Sequence, residues 1–190
     1  MADPTDYAAH GWTPFDAEPE VKYYMRDEAG RLLAVQVRTA DKRIWWQTAG
    51  GEPGLGGVHL RDLLYRSERL RRVPLEIPVV VTEGPKDCDA VWRAGLPAVG
   101  TVTGAGGVPS PKALAVLRWR PVILWPDNDA AGQTHMERVA DALVGIALTV
   151  SLLDPPGMPP KGGAFDVPAD DIPRFVYAYA RPYAGVGRTP

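Results

Sequence analysis

The chain has 190 residues, with 21 Lys and Arg against 23 Asp and Glu, for a formal net charge of −2. That length suits one domain or one with a small appendage, and the near balance of charge excludes a polycation that would coat nucleic acid with its whole surface. A single cysteine, Cys88, excludes an internal disulfide, and the absence of a signal-peptide pattern or an apolar stretch of about 18 residues predicts a soluble cytoplasmic protein with no membrane partner.

The charge is unevenly spread. Residues 1–20 carry five acids and no Lys or Arg, residues 21–75 carry eleven basic residues against six acids, and residues 76–190 carry ten against twelve. A basic module followed by a mildly acidic one suits a protein that holds a polyanion with one part and metal with the other, and equally suits a solvated surface. Residues 1–20 have no periodicity and read as a flexible acidic arm, with Trp12 and Phe15 available to pin its end to the body. From Val21 the pattern changes to short β runs at 21–26, 32–38 and 43–47, divided by turns at Asp27–Gly30 and near Ala40–Asp41. Alternation of Tyr23, Val35, Val37, Ile44 and Trp46 with Lys22, Gln36, Arg38 and Arg43 predicts an antiparallel meander with one wet face. Trp45 and Trp46, beside Lys42 and Arg43, are either a stacking platform for single-stranded bases or one core residue and one edge cover.

The Gly-rich loop 50–57 is too irregular for a phosphate-binding fingerprint. Leu60, Leu63 and Leu64 mark a short amphipathic helix, followed by the cluster Arg66, Arg69, Arg71 and Arg72, so residues 21–76 are expected to form a basic, mixed α/β subdomain. The segment 78–153 then repeats a β-then-α rhythm. Apolar runs at 79–81, 98–102, 122–125 and 147–153 alternate with helical segments. The first helix turns Cys88, Val91 and Trp92 inward, the second Leu114 and Leu117, and the third Met136, Val139, Ala140, Leu143 and Val144. Right-handed crossovers make such a set a small parallel sheet flanked by helices. The loop Gly104–Gly107 is either a close approach to phosphate or a tight connection. A stiff Pro-rich loop at 155–160 and a C-terminal helix with Ile172, Phe175, Val176 and Tyr179 inward, capped by Asp171, complete the chain, with 169–190 read as helix and tail.

Two apolar runs end in acids. Val79–Val81 is closed by Thr82-Glu83-Gly84, with Pro85 at a first helical position and Asp87 one turn on, and Pro121–Trp125 is closed by Pro126-Asp127-Asn128-Asp129-Ala130-Ala131-Gly132. Side chains at i and i+2 of extended chain share a face, so Asp127 and Asp129 can aim at one hard cation; alternatively Asp129 is simply a helix N-cap. His10, His59 and His135 are far apart with no partner at ligand spacing, so no zinc site is expected.

The ordered pair of strand–Glu–Gly and strand–Asp–x–Asp–x–x–Gly, with a later Lys161-Gly162 segment, resembles the Toprim domain, most nearly that of phage and mobile-element DNA primases. The resemblance covers about residues 20 to 168 and assigns 77–168 to Toprim. It implies an α/β fold with a four-stranded parallel sheet flanked by helices, preceded by a small antiparallel β-rich N-terminal subdomain. It further implies Mg²⁺ or Mn²⁺ as cofactor, with Asp127 and Asp129 as principal ligands, Glu83 as catalytic acid/base or water-bridged ligand, and Asp87 and Asp166 as further acids. In related primases a Lys-Gly-Asp-x-x-Asp segment supplies acids; here Gly163 stands at the first of them and leaves Asp166. Arg66, Arg69, Arg71, Arg72, Lys86 and Lys161 become candidates for phosphate contacts.

The resemblance implies a metal-dependent nucleotidyltransferase that makes primers on single-stranded DNA from nucleoside triphosphates in phage or plasmid replication. Related primases usually carry a zinc-binding module and often a helicase, so either is an expected partner. The same acids would serve a Toprim nuclease, and a non-catalytic nucleic-acid-binding subunit is the third reading.

Overall fold

The computed structural model describes residues 20–41, 43–104 and 106–184. The expectations for nearly all of the acidic arm, for Trp12 and Phe15, for Lys42 and for the end of the tail lie outside these residues. The chain forms two compact units, one ending at His59 and the other beginning at Leu60.

The first unit is an antiparallel meander of β1 (Val21–Arg26), β2 (Leu32–Arg38) and β3 (Ile44–Thr48), in that order. The β1–β2 turn closes through the Gly30 amide donating to the Asp27 carbonyl at 2.8 Å, with Gly30 at φ 85°, a conformation glycine adopts without strain. The phase of β3 is the reverse of the expected one. Val37 pairs with Trp45, and cross-strand partners share a face, so Trp45 joins Val35 and Val37 in a small core while Ile44 is left 53% exposed. Trp45 is therefore a core residue and Trp46 a half-buried one, which removes the paired stacking platform. Nor is one face wet along β2, since Ala34, Val35, Gln36 and Val37 are all buried.

The second unit is built on a six-stranded sheet in the order β4-β6-β5-β7-β8-β9. Its strands are β4 (Leu64–Tyr65), β5 (Val79–Thr82), β6 (Ala98–Thr101), β7 (Pro121–Trp125), β8 (Thr149–Leu153) and β9 (Ala180–Pro182). The middle four pair in parallel, and β4 and β9 add antiparallel edges. All four residues of β5 are buried, as expected of a central strand covered on both faces. The helices are α1 (Pro85–Arg93), α2 (Pro111–Leu114), α3 (Ala130–Leu143) and α4 (Ile172–Tyr179). Met136, Val139, Ala140 and Leu143 of α3 pack with Val79, Val81, Val122 and Leu124 in the main core, an i, i+3, i+4, i+7 stripe laid on alternate strand residues. Val144 falls just beyond the helix and is 48% exposed, contrary to its expected place in that stripe. Asp171 stands at the N-cap position of α4, but its side chain makes no capping bond.

Two further differences concern residues 60–76. The expected helix at 60–64 is only a 3-10 turn, Leu60–Asp62, followed by strand β4; Leu63, Leu64 and Tyr65 are buried in succession, which one helical stripe does not accommodate. Residues 66–76, read from charge as part of the N-terminal module, belong to the second unit. The buried Arg120 guanidinium donates to the carbonyls of Leu70 at 2.9 Å, Val73 at 3.0 Å and Pro74 at 2.9 Å, fastening this segment ahead of β7. Among the described residues no helix is long and apolar enough to cross a membrane.

Candidate metal-binding site

Strands β5 and β7 are neighbours, with Thr82 opposite Trp125, so the acids that follow them leave the same sheet edge. Glu83 reaches across, its Oε1 accepting the Asp127 amide at 2.9 Å. A Cβ at Gly132 would meet that Oε1 and sit 2.6 Å from the Asp127 carbonyl oxygen, so only glycine lets the two chains approach this closely. This is the physical content of the Asp-x-Asp-x-x-Gly spacing. Asp129 caps α3, its Oδ1 accepting the Gly132 amide at 2.8 Å, so the N-cap alternative read from the sequence describes one of its oxygens.

Asp87 comes to the same place from the first turn of α1. Its Oδ1 accepts the Phe165 amide at 2.9 Å, and Asp166 Oδ2 accepts the Gly163 amide at 3.0 Å within the 3-10 turn Ala164–Asp166. A Cβ at Gly163 would lie 2.5 Å from Asp87 Oδ1 and 2.8 Å from Asp127 Oδ1. Both carboxylates thus face the Gly163 backbone, and no acid fits at 163 without displacing them. The Pro-rich loop is clipped here by Asn128. Its amide donates to the Gly162 carbonyl at 2.9 Å, its carbonyl accepts from the Lys161 amide at 3.0 Å, and its Nδ2 donates to the carbonyls of Met158 at 2.7 Å and Pro159 at 3.1 Å. Sequence reasoning missed Asn128, since nothing local marks a partner some thirty residues downstream.

Burial dominates the electrostatics, and like charges at close range add to it. Burial pushes the Asp127 carboxyl from its ordinary 3.8 to about 7, with the neighbouring Glu83, Asp87, Asp129 and Asp166 adding to the rise. Glu83 is raised by burial, partly offset by its bond from the Asp127 amide, and raised further by Asp129 and Asp87. Burial also raises Asp87, against the Phe165 amide and the Lys86 charge. Among the described residues no group of three or more His, Cys, Asp or Glu side chains is placed to hold a metal ion. The donors that do converge are all carboxylate oxygens, which suits a cation held by one or two carboxylates and completed by water and phosphate, as Mg²⁺ commonly is.

The candidate basic residues divide. Lys86, on α1 beside Asp87, holds its ammonium 3.5 Å from the Phe165 ring centroid. Lys161 is exposed, at φ 59° in the clipped loop. Arg66 pairs with Asp89 and lies 5.1 Å over the Tyr65 ring, while Arg69 lies 5.5 Å over Trp92. Asp87 and Asp89 are about 200° apart around a helix, so α1 presents one acid to the carboxylate cluster and the other to the arginines. Arg71 and Arg72 are exposed.

The glycine loop after β6 closes on itself, with the Gly107 amide donating to the Gly104 carbonyl and Thr103 Oγ1 to the Gly107 carbonyl, each at 3.1 Å. Behind it, His135 is fully buried with its Nε2 3.2 Å from Thr101 Oγ1, and Thr101 Oγ1 donates to the Glu83 carbonyl at 3.1 Å. Burial holds the His135 imidazole below its usual range.

No protein-family model and no curated protein sequence matches the chain. Several solved structures resemble it. The primase fragment of the bacteriophage T7 primase-helicase protein is 22% identical, over 86% of this chain and 64% of that one, with a TM-score of 0.60. A DNA primase domain from Pseudomonas aeruginosa is 21% identical, over 88% of this chain and 53% of that one, with a TM-score of 0.67. A DnaG primase catalytic domain bound to single-stranded DNA is 18% identical, over 86% and 53%, with a TM-score of 0.63. The chain therefore spans from 53% to 64% of the length of these structures. At such identities the likeness is one of fold: the mixed α/β architecture is that of DNA primase catalytic cores.

Proposed function

We propose that the chain is a primase-like nucleotidyltransferase of the Toprim type, dependent on Mg²⁺ or Mn²⁺, that makes primers on single-stranded DNA in phage or plasmid replication. The observation that carries this reading is the meeting of Glu83, Asp87 and Asp127 at one sheet edge, with Asp87 and Asp127 both facing Gly163. Asp129 and Asp166 add their charge to the same place. The fold shared with DNA primase catalytic cores supports it.

Primer synthesis joins a 3′-hydroxyl to an α-phosphate and releases pyrophosphate, so negative charge gathers on the attacking and departing oxygens. Asp127 and Asp129 would be the principal ligands of the divalent ion, with Glu83, Asp87 and Asp166 around it, and the ion when bound neutralises that charge. The protein's own part is to place these groups. Glu83 orients the Asp127 backbone through its amide and, with its carboxyl raised by burial, serves as water-bridged ligand or acid/base. Lys86 and Lys161 meet the phosphates of a nucleoside triphosphate, and Arg71 and Arg72, with Arg66 and Arg69 behind them, meet the template backbone. A helicase or a zinc-bearing module is the proposed partner, and the T7 neighbour is the primase part of a primase-helicase protein.

The test is a gel assay with 5′-labelled single-stranded DNA and, separately, unlabelled DNA with labelled nucleotides, each with Mg²⁺ or Mn²⁺. New labelled oligonucleotides that vanish with Asp127→Asn support the proposal. Shortened DNA replaces it with the nuclease reading, and binding with neither product, even when a helicase or zinc module is added, replaces it with the non-catalytic one.

A further inference from the structure

The 3-10 turn Ala164–Asp166 buries Ala164 completely, and Val167 just after it is 8% exposed, yet Phe165, the bulkiest apolar side chain of this stretch, is left 44% exposed. The ring is held at the acidic edge. Its own amide is bonded to Asp87 Oδ1 at 2.9 Å, and the next residue is Asp166. Two cations from α1 attend it, the Lys86 ammonium 3.5 Å from the ring centroid and the Arg93 guanidinium carbon 5.8 Å away. A flat π surface, flanking positive charge and a carboxylate cluster are the three kinds of group that meet the base, the phosphates and the metal of a nucleotide.

We propose that Phe165, whose ring carries the Lys86 ammonium over one face, stacks a nucleobase on the other, with Lys86 placed to take the attached phosphate. The inference rests on the nucleotidyl-transfer reading of the acidic edge and adds the group that meets the protein there. The base belongs either to an incoming nucleoside triphosphate or to the template strand; the stacking chemistry is the same, and the experiment separates the two. A merely structural Phe165 would only hold the Lys86 ammonium over its ring. Leucine loses that contact as well as any base stacking, so Phe165→Leu is read by quenching, which reports the base itself, and against Phe165→Tyr, which keeps a π face.

The full chain with Mg²⁺ is titrated against two probes whose fluorescence falls when the base stacks: 2-aminopurine riboside triphosphate, and a single-stranded oligonucleotide carrying one 2-aminopurine. Fluorescein-labelled oligonucleotide anisotropy follows DNA binding independently. The expected result is quenching of one probe by wild type and by Phe165→Tyr, and loss of that quenching in Phe165→Leu. Affinity for the quenched probe falls by about tenfold in Phe165→Leu, with an unchanged melting temperature. The probe that depends on Phe165 identifies the source of the base. Should leucine lower the melting temperature, Phe165→Met is the second apolar replacement, read the same way. Equal quenching and affinity in wild type and the apolar variants would overturn the stacking role while leaving the parent reading intact. A wild-type protein that binds neither probe would overturn both.

Discussion

Two charged regions of the second unit are organised in opposite ways. The basic stretch around Arg66–Arg72 and Arg120 uses much of its charge internally: Arg66 pairs with Asp89, Arg69 lies over Trp92, and Arg120 is bonded to three carbonyls. The acidic edge gathers Glu83, Asp87 and Asp127: Glu83 and Asp87 each accept one backbone amide, and burial together with mutual repulsion drives the Asp127 carboxyl to about 7. Paired charge stabilises the fold, whereas unpaired like charge destabilises it until a cation arrives. Charge held in reserve is thus a better pointer to function here than charge density, a distinction that no residue count reveals.

The largest effect expected from breaking this contrast is on activity. Asp127→Asn lowers metal-dependent primer synthesis by at least about a hundredfold, measured as labelled oligonucleotide per unit time, with the fold retained by circular dichroism. On the paired side, Arg120→Met leaves three carbonyls without their donor and lowers unfolding free energy by about 3 kcal/mol in urea titrations, with activity following stability alone. Gly163→Ala presses a methyl group against the Asp87 and Asp127 carboxylates; a loss of about 2 kcal/mol and weakened Mg²⁺ stabilisation are expected, read from melting temperature with and without the ion.

A smaller effect sharpens the same contrast through pH. Asp127 ionises at about 7 in the folded chain rather than at 3.8, so between those values the folded state holds the extra proton. Stability from this group is complete below about pH 4 and is lost as pH rises through about 7. The melting temperature of metal-free Asp127→Asn should therefore exceed that of wild type by a few degrees at pH 8 and by less at pH 5, with Mg²⁺ narrowing the gap at pH 8. A gap independent of pH would show that ionisation of the buried Asp127 carboxyl is not its source. The smallest effects separate the arginines. Arg66→Ala costs about 1 kcal/mol of stability, whereas Arg71→Ala and Arg72→Ala leave stability unchanged and each reduce the log–log salt slope of single-stranded DNA binding by about 0.7.

Much of this site was legible in local pattern. Apolar runs located the four parallel strands to within a residue or two, and the acids following Thr82 and Pro126 announced the edge where they meet. Gly132 belonged to the motif, but its necessity became visible only when Glu83 was found occupying the space a side chain would fill. The strand β4 was misread because two residues are too few to show a period, and β3 was placed out of phase because Ile44, Trp45 and Trp46 are apolar in succession and only their pairing with β2 decides which face is buried. Asn128 and Phe165 were overlooked for a common reason, since each acts through a partner distant in sequence.

The sequence by itself determined the βα rhythm, the acids at strand ends and the basic stretch ahead of them, because strand alternation, helix periodicity and strand-end chemistry are properties of neighbouring residues. Only the tertiary structure decided that β5 and β7 lie side by side, that Asp87 and Asp127 face the same glycine, and that Arg66 belongs to Asp89. Those outcomes depend on strand order and on contacts between residues far apart in the chain. Coulombic repulsion and ion pairing depend on distance in space, which the order of residues along the chain does not specify.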